Sequence, residues 1–100
     1  MLLKQFTVVP GAVNADTPFT IPATWPDLAE LVSVTRLANA AGASVNPAAM
    51  TVVADAAAIA DTEVSLATAR TIRVGAALTA AHALLIIAYV VGGRNVAQAA

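Results

Sequence analysis

The chain has 100 residues, of which 59% are hydrophobic and 11% charged, with a net charge of −1 and a mean hydropathy of +0.79. Five basic residues against six acidic ones, with Arg36, Arg70, Arg73 and Arg94 scattered, exclude an electrostatic nucleic-acid binder, and the absence of cysteine excludes disulfides and thiolate metal sites. One domain of this size buries about two thirds of its unfolded surface and ordinarily carries roughly 25% charged residues, so lipid or other protein subunits are expected to cover part of this one.

Residues 1–27 differ from the rest. Four of the five prolines lie here, at Pro10, Pro18, Pro22 and Pro26, with three of the four aromatics, Phe6, Phe19 and Trp25. Proline fixes φ, removes an N–H donor and drives its predecessor toward extended backbone. The segment is expected to be an extended N-terminal arm with short strands at 5–9 and 18–21. Its start, Met1 to Thr7, lacks the apolar run of a secretory signal.

From Leu28 onward, short apolar runs alternate with turn residues. Leu31 to Leu37 is rich in β-branched residues and reads as a strand. Asn39 to Ser44 and Asn46-Pro47 are turn chemistry. Met50 to Ala54 is the next strand, and Asp55 to Ala60 is an alanine-rich connection. Thr62 to Leu66 and Arg70 to Val74 both alternate polar and apolar, the period of a strand. The domain is expected to span 28–93, with 94–100 a short C-terminal tail.

Between Arg73 and Arg94 the chain runs twenty residues without a formal charge. Read as one helix, residues 74–91 just reach across a bilayer. Read as a loop from Gly75 to His82 and a strand from Ala83 to Val91, they form the centre of a β domain. The second reading is preferred, because Gly75, Gly92 and Gly93 sit at the ends and the flanking arginines show no inside–outside bias. In that strand Leu84, Ile86, Ala88 and Val90 face one way and Ala83, Leu85, Ile87, Tyr89 and Val91 the other. Both faces are apolar, so both are expected to be covered: one by the core, the other by the arm, a helix or another subunit.

Candidate chemistry is sparse. His82 is the sole histidine, and a metal site or a triad requires partners for it. Asp55, Asp61 and Glu63 match no calcium-loop spacing and read as a solvated turn. Gly92-Gly93 precedes no phosphate-loop lysine, and Ser33, Ser44 and Ser65 lack a nucleophile elbow. No catalytic residue, cofactor, metal or small-molecule substrate is expected. Trp25 is a candidate interface anchor, as are Phe6, Phe19 and Tyr89.

Residues 15–22 (Ala-Asp-Thr-Pro-Phe-Thr-Ile-Pro), 31–36, 62–66, 70–74 and the aliphatic-Tyr run 83–91 together resemble the strand series of small virion proteins of tailed bacteriophages. The resemblance implies an all-β chain, a small antiparallel β-sandwich or barrel-like domain. It also implies a non-enzymatic structural role in the virion, which is assembled in the host cytoplasm. Such a protein stabilises the particle as a capsid decoration or cement protein, or serves as a small tail or fibre component. Its partners are the major capsid protein or other virion subunits, and it is expected to be a homo-oligomer. The competing expectation is a holin-like membrane protein that spans with residues 74–91.

Overall fold

A computed structural model describes residues 2–38, 48–78 and 82–91. The expected turns at 39–47 and the tail at 94–100 lie outside these residues. Seven strands follow in chain order: β1 (Leu2–Val8), β2 (Phe19–Thr20), β3 (Leu28–Ala38), β4 (Ala48–Val52), β5 (Glu63–Thr68), β6 (Thr71–Val74) and β7 (His82–Val90). They form one curled sheet, a half-barrel, in the order β1-β7-β3-β4-β5-β6-β2. The all-β class read from the sequence is the observed one, in a barrel-like form rather than as a sandwich of two sheets. The sheet is mixed rather than wholly antiparallel, because β4 and β5 pair in parallel through Thr51–Glu63 and Val52–Val64. Parallel neighbours cannot be joined by a tight hairpin, so residues 53–62 must cross over one face of the sheet.

The 74–91 span is not a helix. Its described residues hold the end of β6, a bridge at Leu78 and the nine-residue β7, and no helix among the described residues is long and apolar enough to cross a membrane. β7 lies between β1 and β3, the place that suits its apolar, β-branched sequence. Its Leu84, Ile86, Ala88 and Val90 are fully buried. They form the spine of a core completed by Phe19, Ile21, Leu28, Leu31, Val34, Val64, Ile72, Val74 and Leu78.

β3 reaches this core in an unusual way. Its buried residues, Leu28, Leu31 and Val34, are spaced by three, whereas a regular strand alternates by two. Two register shifts against β7, between Leu28 and Glu30 and between Leu31 and Ser33, absorb the extra residues. Bulges of this kind re-aim side chains, and here they turn all three residues inward while leaving Val32 outside.

Residues 2–27 do not project as a free arm. β1 is paired along its whole length with β7, from Leu2–Val90 to Val8–Leu84, and β2 closes the opposite edge by pairing with β6. Phe19 and Ile21 are buried in the core. Ile21 N–H donates to the Arg70 carbonyl, Leu28 N–H to that of Ala69 and Val91 N–H to that of Asp27. The prolines keep the linking segments extended, but the apolar residues between them are consumed by the fold's own interior.

Candidate functional site

The two faces of the curled sheet differ chemically, and the outer face itself divides into two halves. Over β5 and β6 it is polar and covered. Ser65 and Arg73 stand opposite each other on these strands and point away from the core residues Val64, Ile72 and Val74. Ser65 is fully buried because the 53–62 crossover lies over it. Its Oγ donates to Asp55 Oδ1 at 2.7 Å, and Arg73 Nε donates to the same oxygen at 2.9 Å. The Arg73 guanidinium, and then the Ser65 hydroxyl, hold the Asp55 carboxyl below its usual range. Arg73 also donates to the Asp16 carbonyl at 2.6 Å.

Asp16 has a φ of 58°, a left-handed conformation that aspartate tolerates better than most residues. Its side chain accepts the Ile59 N–H at 2.9 Å. Glu63 Oε1 accepts the Ala60 N–H at 2.8 Å. The crossover is therefore tied down by three carboxylates, those of Asp16, Asp55 and Glu63. It lies so close to the sheet that a Cβ on Gly75 would sit 1.9 Å from the Ala60 carbonyl oxygen. Asp55 and Glu63, expected in a solvated turn, are thus structural tethers.

A second polar clasp holds the N-terminal segment. Arg70 donates through Nη1 to the Trp25 carbonyl at 2.5 Å and to Asp27 at 3.2 Å, and through Nη2 to the Pro22 carbonyl at 2.9 Å. A guanidinium with its donors in a planar fork is the side chain suited to gather several acceptors at once. This clasp fixes the turn that carries Trp25.

Over β1, β7 and β3 the outer face is bare. The strand registers place Leu3, Gln5 and Thr7 of β1 beside Tyr89, Ile87 and Leu85 of β7, and these beside Glu30, Ser33 and Thr35 of β3. Glu30 is the one formal charge these registers place on this surface. Six large hydrophobic residues are exposed among the described residues: Leu2 (46%), Leu3 (54%), Val9 (48%), Val32 (45%), Tyr89 (36%) and Val91 (51%). Every one lies on β1, β7 or β3 or directly follows one of these strands. Along the second face of β7 Ala83 is buried, Leu85 and Ile87 are half-buried, and Tyr89 and Val91 are exposed, so the covering expected there is incomplete among the described residues.

The four candidate anchors are not brought together. Phe19 lies in the core. Phe6 and Trp25 stack on each other, with ring centroids 4.2 Å apart and planes 21° from parallel, and both pack against the core's edge. Tyr89 alone of the four stands on the bare face. The residues that sequence reasoning missed there are Leu3 and Val32. Leu3 sat inside the expected arm, and Val32 comes outward only because of the bulge. His82 begins β7, paired with Ala38. Among the described residues no three His, Cys, Asp or Glu side chains gather as a metal site would require. Comparison of the chain with protein-family models, with curated proteins and with solved structures finds no match.

Proposed function

We propose that the chain is a non-enzymatic structural subunit of a tailed-phage particle, a decoration or cement protein that binds capsid subunits through the outer face of β1, β7 and β3. The observation that carries this reading is that all six large hydrophobics exposed among the described residues lie on or directly beside β1, β7 and β3, where Leu3 and Tyr89 share the outer face with a single formal charge. Interface cores are depleted of charge and enriched in tyrosine, and isolated monomers rarely leave large contiguous apolar patches open. The resemblance of the strand series to small virion proteins supplies the setting.

The mechanism is stabilisation by burial. Full burial of one large aliphatic or aromatic side chain contributes about 1.5–3 kcal/mol. With these residues already about half covered, burying the four best placed on the face (Leu3, Val32, Tyr89 and Val91) contributes on the order of 3–6 kcal/mol. Association costs roughly 4–15 kcal/mol in lost freedom. One such contact is weak, so the subunit acts through many copies or several contacts at once, as a particle lattice provides.

The test is co-sedimentation of the purified chain with separated heads and tails of the phage that encodes it. Saturable binding to heads supports the capsid reading. Binding confined to tails assigns the chain to the tail or fibre, the second virion role. Binding to neither overturns the proposal.

A further inference from the structure

We propose that two copies of this chain pair edge to edge through β1, antiparallel, about a two-fold axis at Gln5. The inference deepens the assembly reading above, since it names a second copy as one of the surfaces the chain binds. It begins with the sheet order, in which β1 is terminal among the described strands. β1 is seven residues long, keeps an unshifted register along β7 and contains neither proline nor glycine. An antiparallel strand turns alternate residues' N–H and C=O groups to opposite sides, so those of three or four β1 residues point away from β7. Natural edges are usually blunted by proline, bulges, shortness or charged side chains, lysine above all. Apart from Lys4, this one carries none of these devices. The opposite edge, by contrast, is the two-residue β2.

The sequence of β1 fits itself in one register. A two-fold axis normal to the sheet keeps inner residues with inner and outer with outer, so paired residue numbers must sum to an even value. With the axis at Gln5, all seven residues pair: Leu2 faces Val8, Leu3 faces Thr7, Lys4 faces Phe6 and Gln5 faces Gln5. The pairing makes about six to eight main-chain hydrogen bonds. Moving the axis to Lys4 sets two ammonium groups directly opposite, which is destabilising, and loses two pairs. Moving it to Phe6 also loses two pairs. The Gln5 side chains, exposed on the outer face, carry both amide donors and an acceptor and are self-complementary across the axis. The joined sheet makes the two bare faces continuous, so that Leu3 and Tyr89 of both copies lie on one surface.

A seven-residue edge contact falls at the small end of specific interfaces, so the dimer is expected to be reversible and concentration-dependent. Sedimentation velocity from about 10 μM to 1 mM on the wild type, on Gln5→Lys, on Gln5→Glu and on an equimolar mixture of the two variants tests the proposal. Because position 5 faces itself, a charge of either sign meets its like. Each variant alone is expected to lose association at least tenfold, and the mixture to regain it. The site is exposed and solvated, so both variants keep the monomer fold, which circular dichroism checks. A wild type monomeric throughout the range, or variants that associate as the wild type does, overturns the pairing. A monomeric chain that still binds phage heads overturns the pairing and leaves the capsid reading intact.

Discussion

The outer face of this sheet is solved in two different ways along its width. Over β5 and β6 the chain covers itself. The 53–62 crossover is pinned by Asp55, Asp16 and Glu63, and a serine and an arginine beneath it have their polar groups satisfied. Over β1, β7 and β3 the described chain leaves leucine, valine and tyrosine side chains exposed. A buried polar group without a partner costs about 1–3 kcal/mol, so the covered half needed a tailored polar lid. The bare half needs no specific partner to stay folded and loses only the energy a partner would add. The contrast separates surface that serves the fold from surface that the proposed function assigns to association.

The largest test of that division is Gly75→Ala. The added Cβ overlaps the Ala60 carbonyl, a backbone atom that moves only if the crossover lifts. The substitution is expected to destabilise the protein by about 1–3 kcal/mol, the range of core overpacking, read as a lowered midpoint in urea unfolding. Ser65→Ala follows with about 1 kcal/mol, the net worth of one buried hydrogen bond. If both changes leave the midpoint unmoved, the lid is not structural and the contrast between the halves collapses.

Much of this organisation was legible in the sequence. The period-2 segments 62–66 and 70–74 became β5 and β6, and the aliphatic run 83–91 became β7 with its inner and outer sets as read. The spacing of Leu28, Leu31 and Val34 carried no strand signal, because only the bulges make it compatible with a pleat. The N-terminal residues were legible as extended but not as paired: nothing local in Leu2 to Val8 states that the partner is eighty residues away. The tethers were invisible for the same reason. Asp16, Asp55, Arg70 and Arg73 are ordinary surface residues until the crossover and the Pro22–Asp27 turn bring their partners to them. Of the four candidate anchors Tyr89 alone stays exposed on the outer face, whereas Phe19 is taken into the core and Phe6 and Trp25 pack at its edge, as a small core short of large side chains would favour.

Acid sharpens the contrast, because only the covered half is held by carboxylates. Asp55 titrates below its ordinary value of 3.8 in the folded protein, chiefly through the Arg73 hydrogen bond and then that of Ser65. A depressed folded pKa contributes stability that is present above the unfolded value and is lost as the pH falls through the folded one. Wild type is therefore expected to exceed Asp55→Asn in thermal midpoint at pH 6, with the gap closing below pH 3.8. A gap that persists unchanged at low pH would show that Asp55 acts through packing rather than charge.

The smallest expected effect on the fold belongs to the bare half, and it carries the most information. Tyr89 is 36% exposed, lies opposite Leu3 and Glu30 on the outer face, and has no hydrogen-bond partner among those the described residues provide. Replacing it with lysine removes a partly covered ring and sets a cation beside Glu30, so stability should change by no more than about 0.5 kcal/mol, as for ordinary surface sites. Head binding should nevertheless fall at least tenfold, since an ammonium buried against an apolar partner is strongly unfavourable. Gly75→Ala, folded at low temperature, should show the reverse: weakened stability with head binding retained. The two substitutions thus form a crossed pair on one sheet. If Tyr89→Lys instead unfolds the chain, the tyrosine is part of the core's support, and the outer face of β7 belongs to the fold rather than to a partner.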